Sequence, residues 1–162
     1  MSEENNESKK ANQDLPLGLK VLITGFVGGL FWGIIWYVAY FFNFTDVGPN
    51  LLWKAWTLGS WSEEATGQWI AISLLAILSI GVAFFYRYVF AKITSMWAGV
   101  GFGALLWVII FYISNPLFIG LDSVPDLSGI TIVSTLSLFV CYGLFIGYSI
   151  SYEYEMEKYT GT

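Results

Sequence analysis

Two carboxylates occupy positions from which they could do chemistry. Asp46 lies in TDVGPNL and Asp122 in LDSVPDL, each three residues before a proline and just past a long apolar run. Brought together they would offer oxygen ligands of the kind Ca²⁺ or Mg²⁺ accepts. The plainer role for an Asp before such a proline is to stabilise a turn. Other chemistries lack their parts. The chain has no His and one Cys, Cys141, so a Cys/His zinc site and an internal disulfide are excluded. A serine nucleophile would have no imidazole base. The remaining acids fall outside the apolar runs, where they cannot share a buried site as a carboxylate dyad does. No cofactor or metal is expected, and neither is enzymatic activity.

Hydroxyls are the other polar resource. Thr131, Ser134, Thr135 and Ser137 open the last apolar run and Ser149 and Ser151 close it, while Ser73, Ser79, Ser114 and Asn115 lie in or at the end of earlier ones. They could line a polar groove for a small neutral solute or an ion. The simpler expectation is that they bond to their own helix backbone or to a neighbouring helix.

These residues are carried by elements whose nature follows from where charge is missing. Of 162 residues, 56% are hydrophobic and 12% charged, about half the charge of a soluble domain. No Asp, Glu, Lys or Arg occurs in 21–45, 65–86, 93–121 or 127–152. Each stretch exceeds the roughly 20 residues that cross a hydrocarbon core. The expected fold is therefore all-α and integral to the membrane, with spans at about 21–43, 68–86, 97–115 and 130–151. Val21–Phe42 is too long for the apolar part of a signal peptide and is read as a retained span. Residues 1–20 are read as a disordered tail and 153–162 as a second tail, in which YEYEMEKY extends the last helix.

Lys9, Lys10, Lys20, Arg87, Lys92 and Lys158 fall on one side of such a bundle and Lys54 alone on the other. The positive-inside rule then places both termini in the cytoplasm. The outer loop at about 44–67 carries Trp53, Trp56 and Trp61, rings that favour the membrane interface. It is expected to lie on the outer leaflet, with a cap over a cleft as the alternative. A net charge of −5 without clustered cations argues against nucleic acid as a partner.

The halves of the chain look duplicated. LFWGIIWYV at 30–38 parallels LLWVIIFYI at 105–113 at an offset of 75, and Asp46-x-x-Pro49 parallels Asp122-x-x-Pro125 at 76. Tyr86-x-Tyr88-x-x-x-Lys92 parallels Tyr152-x-Tyr154-x-x-x-Lys158 at 66. The expected arrangement is two tandem hairpins, a parallel repeat about an axis along the membrane normal.

Close packing in lipid relies on small residues. Gly25, Gly29 and Gly33 form one ridge of the first span, Thr24 and Gly28 a second; Gly99 and Gly103 mark the third span, Gly143 and Gly147 the fourth. The Thr24/Gly28 ridge aligns with Gly99/Gly103 and is expected to join the two repeats. The unshared ridge Gly25/Gly29/Gly33 is open either to a second copy or to ordinary packing within the chain.

The tail followed by LKVLITGFVGGLFWGIIWYVAYFFNF, the loop DVGPNLLWKAW, and the SNP and LDSVPDL segments resemble the YqhR family of small membrane proteins from Bacillus-type bacteria. The resemblance covers nearly the whole chain. It implies the cell membrane of a Gram-positive bacterium and brings no activity, substrate or functional residue with it. The expected function is non-enzymatic: a scaffold or complex subunit working through helix contacts, with lipid and a homo-oligomer or another membrane protein as partners. The alternative is a small permease or channel-like oligomer.

Overall fold

A computed structural model describes residues 15–51, 65–90, 92–93, 95–113 and 124–160. Among the described residues the framework is four helices. Helix α1 is Leu17–Phe41, α2 is Ala65–Val89, α3 is Met96–Val108 and α4 is Gly129–Thr160. A π-helical turn, Ile109–Ile113, continues α3, and a 3₁₀ turn, Val124–Asp126, precedes α4. No strand occurs among the described residues. All four helical stretches are long and apolar enough to cross a membrane: Leu17–Phe41, Thr66–Val89, Met96–Ile113 and Gly129–Tyr159.

The helices start and stop for local reasons. Pro16 caps α1, where its fixed φ suits an entry and its missing N–H costs nothing. Leu17 is already buried in the core. That burial draws Leu17–Lys20 into the helix, four residues that the composition assigned to the tail. At the other end Asn43 takes φ 57°, and the Phe44 N–H returns to the Ala39 carbonyl. This is the left-handed stop that Asn tolerates. Ser95 caps α3 by accepting from the Trp97 N–H at 3.3 Å. Helix α4 continues to Thr160, beyond the apolar run. Tyr154 packs against the core, and Glu153 meets Lys20 at 2.8 Å.

Antiparallel contacts dominate. Helix α1 lies along α2, α3 lies along α4, and α4 also crosses α1. One apolar cluster draws Leu17 and Val21 from α1, Ala83 and Tyr86 from α2, Phe102 from α3 and Ile146 and Ile150 from α4. A second gathers Trp107, Phe111, Val124 and Leu127 at the opposite end of α3. Outside these clusters the helices show large apolar side chains on their outer flanks, such as Phe31, Phe85 and Val133. In water such surface would drive aggregation; in hydrocarbon it is the expected exterior.

Candidate functional site

The glycines are where the helices touch. A Cβ built on Gly25 would lie 2.8 Å from the Ile80 Cα and 2.9 Å from the Ala83 Cβ. On Gly29 it would lie 2.5 Å from the Ser79 Cβ and 2.6 Å from the Ala76 Cα, and on Gly33 3.2 Å from Ile72. The ridge Gly25/Gly29/Gly33 therefore faces α2 of the same chain, and the face it would have offered a second copy is occupied. The α3–α4 seam is tighter still. A Cβ on Gly103 would run into the Phe139 carbonyl oxygen, and one on Gly143 would come within 2.5 Å of the Gly103 nitrogen and the Gly99 oxygen. Gly147 sits against the Gly99 Cα and the Tyr86 ring. The shared ridge divides: Gly28 meets Phe145 and Ile146 of α4, whereas Gly99 and Gly103 meet α4 from the α3 side. Of the ridge expected to join the two repeats, Gly28 makes a contact between them, on α4, while Gly99 and Gly103 pack within the second repeat. At Gly25, Gly29, Gly99, Gly103 and Gly143 the missing side chain lets the helix meet its neighbour's backbone, and at Gly28 and Gly33 it admits a neighbour's side chain; this is how helices gain dispersion contact without a hydrophobic driving force.

Polar groups pin these seams. Midway along the bundle the Ser79 hydroxyl lies 2.6 Å from the Gly25 carbonyl oxygen, to which it donates. It also lies 2.6 Å from the Tyr142 hydroxyl. With Ser79 donating to Gly25, the Tyr142 O–H is left to donate to Ser79. One buried point thus ties α1, α2 and α4. Neither Tyr142 nor this junction stood out in the sequence, because a lone Tyr in an apolar run has no distinctive spacing. Thr135 donates to the Thr131 carbonyl at 2.7 Å and accepts from the Trp107 indole N–H at 3.0 Å. Ser73 and Ser137 donate to carbonyls four residues back, those of Trp69 and Val133. These four hydroxyls are spent on backbone. The Trp32 indole N–H, the Gln68 amide nitrogen and the Ser151 hydroxyl are buried without a partner.

Asp46 lies against the start of α4. Its carboxylate accepts from the Ser128 hydroxyl at 2.7 Å and from the Thr131 hydroxyl at 2.8 Å. Its own N–H donates to the Thr131 oxygen at 2.9 Å. Ser128 in turn accepts from the Thr131 N–H as the cap of α4. The Ser128 bond, then the Thr131 bond, hold the Asp46 carboxyl below its ordinary value of 3.8, with slight desolvation opposing them. An anion at a helix N-terminus is favoured by the helix dipole as well. Asp46 is thus a latch between the end of α1 and the start of α4. Asp122, its partner in the cation-site reading, lies outside the described residues, as do Ser114, Asn115 and Trp53, Trp56 and Trp61 of the outer loop. Among the described residues no three His, Cys, Asp or Glu side chains gather into a metal-binding group. Nearby, the Trp36 indole donates to the Val47 carbonyl at 2.8 Å, and Gln68 accepts from the Asn50 N–H at 3.2 Å. These bonds fold the segment after α1 back onto the bundle.

The opposite end collects the cations. Lys20 pairs with Glu153, and the Arg87 guanidinium lies beside Gly18. The starts of α1 and α3 and the ends of α2 and α4 therefore share one end of the molecule.

Residues 1–161 match the family described as conserved membrane protein YqhR. It is 38% identical over 154 residues to the uncharacterized protein YqhR of Bacillus subtilis (strain 168), a match covering 94% of this chain and 86% of that one. No solved structure matches it.

Proposed function

The chain belongs to the YqhR family of conserved membrane proteins, and we propose that it works without catalysis, as a scaffold or a subunit of a larger membrane complex. The observation that supports this reading is the use of the span hydroxyls. Ser73, Ser79, Thr135 and Ser137 each donate to a backbone carbonyl. A path for a polar solute needs such groups free to replace water; here they stiffen helices and fasten one to another. The glycine seams face inward, so the outer apolar flanks remain for lipid and for a partner, either a second copy or another membrane protein. Purification in mild detergent tests the proposal, with a defined membrane partner in fixed ratio as the expected result. Proteoliposomes that pass small neutral solutes or ions faster than empty liposomes would establish the rival reading, a small permease or channel-like oligomer.

Two structural readings belong with this proposal. The first is orientation: both termini lie in the cytoplasm of a bacterial cell membrane. Its support is the gathering of Lys20 and Arg87 at one end, which the positive-inside rule assigns to the cytoplasmic face. The second is duplication. Gly25 and Gly29 meet Ile80 and Ala76, while Gly99 and Gly103 meet Leu144 and Val140. These contacts correspond at offsets of 74 on the first helix and 64 on the second, not the 75 and 66 of the sequence match. A parallel repeat whose helices have each slipped by one or two residues accounts for both registers. An experimental structure in which the α1–α2 and α3–α4 pairs do not superpose would end that reading.

A further inference from the structure

A cavity of about 320 Å³ opens between the start of α3 and the second half of α4, lined among others by Ser95, Gly99, Leu144, Tyr148, Ser151 and Glu155. It borders the α3–α4 glycine seam at Gly99 and Gly147 and lies apart from the Asp46 latch. Three features define its chemistry. Ser151 is 8% exposed and its hydroxyl has no partner. A buried hydroxyl left unpaired is unfavourable, so the site is incomplete as it stands. Helix α3 begins at the cavity, with Ser95 as its cap. Its dipole presents partial positive charge there, while its Trp97 and Ala98 N–H groups are bonded to Ser95. On the opposite wall Glu155 supplies a full negative charge, with no ion-pair partner among the described residues.

The cavity's depth in the membrane is set by its neighbours. Ser151 lies two residues before Glu153, the first charge after the apolar run of α4, and Trp97, Tyr148 and Tyr152 are exposed at the same level. Such rings sit among lipid headgroups. Below that level the walls are Leu144 and Phe145, fit for hydrocarbon. A ligand for this place has an apolar body reaching toward the membrane centre and a head with both signs of charge. A phosphate would meet the α3 N-terminus, and an ammonium would meet Glu155 through charge-assisted hydrogen bonds. We propose that this cavity is a phospholipid site selective for a phosphoethanolamine headgroup. Its glycerol ester or phosphate oxygens accept from the Ser151 hydroxyl, and its primary ammonium donates to Glu155. A lipid of net negative charge is disfavoured by the same carboxylate, and a choline headgroup has no N–H to donate.

Native mass spectrometry of the detergent-purified full chain tests this. Phosphatidylethanolamine, phosphatidylglycerol and phosphatidylcholine are added separately at equal concentration. The expected result is retention of one phosphatidylethanolamine about tenfold over either rival. Glu155→Lys should remove or reverse the preference over phosphatidylglycerol, since this side chain is exposed. Ser151→Leu, which fills the cavity, should abolish retention of all three at this site while the melting curve stays cooperative. Equal retention of the three lipids by the native chain overturns the proposal. So does a preference for phosphatidylethanolamine that Glu155→Lys leaves unchanged, which would place the lipid elsewhere. If Ser151→Leu does not fold, Glu155→Lys decides alone.

Discussion

Ser79 shows how much one hydroxyl does in an apolar bundle. It reaches the Gly25 carbonyl and the Tyr142 hydroxyl, each at 2.6 Å, and so joins three helices. Hydrogen bonds between membrane helices contribute about 0.6 kcal/mol on average and up to about 1.7. Ser79→Ala should therefore destabilise the fold by about 1 kcal/mol, and Tyr142→Phe by a similar or smaller amount. The double variant should lose less than the two together, because both remove the same contact. Unfolding curves in mixed micelles measure all three. Asp46 gives a prediction in pH. Its folded carboxyl titrates below the ordinary 3.8 because Ser128 and Thr131 donate to the charged form. The unfolded chain then binds the proton first as pH falls. The stabilisation is complete above the unfolded value and is lost as pH drops through the folded one. Wild type and Asp46→Asn should differ by a constant above about pH 5 and converge only as pH falls below 3.8 through the lowered folded value, read from melting temperature against pH. Asp46 was visible in the sequence as a residue of consequence, but its role was not. Its latch partners, Ser128 and Thr131, lie more than 80 residues away, and no local spacing connects them.

At the scale of elements, glycines of equal appearance have unequal duties. A side chain on Gly29 would strike the Ser79 Cβ and the Ala76 Cα, and one on Gly103 would strike Phe139 and Val140. Overpacking of this kind costs about 1–3 kcal/mol for a small addition, more when backbone is the obstacle. Gly29→Leu should separate α1 from α2 and lose the compact fold. Gly103→Ala should cost about 2 kcal/mol. Gly81 and Gly101 meet nothing within 4 Å. Alanine at either should be neutral, or stabilising by up to about 1 kcal/mol through helix propensity. Thermal unfolding in detergent orders the four variants. The four-residue spacing marked Gly25, Gly29 and Gly33 as a packing ridge from sequence alone, because residues four apart share a helix face. It could not say which helix that ridge meets. The π turn at Ile109–Ile113 was equally hidden, since its residues differ in no obvious way from those of the α-helix before it.

The whole molecule is held at both ends and in the middle by α4. Asp46 latches onto its start, Ser79 reaches Tyr142 near its centre, and Lys20 pairs with Glu153 near its close. The Lys20–Glu153 pair is partly exposed, a setting in which ion pairs contribute about 0–1 kcal/mol. Lys20→Ala should therefore leave the fold intact. Reporters fused to either terminus should be active only as cytoplasmic fusions, and a periplasm-type reporter that works at either terminus would overturn the orientation.

Sequence alone determined that there are four spans, about where they lie and which small residues they use for packing. It could do so because a bilayer excludes charge, so length and charge gaps are readable one stretch at a time. Tertiary structure decided the partners: Gly25, Gly29 and Gly33 turned inward to α2, Gly28 against α4, and Asp46 at the head of α4. In water a helix marks its buried face by hydrophobic contrast, but a helix apolar on every side carries no such mark. In lipid the choice of neighbour falls to shape and to a few hydrogen bonds, and those exist only once distant segments of the chain have met.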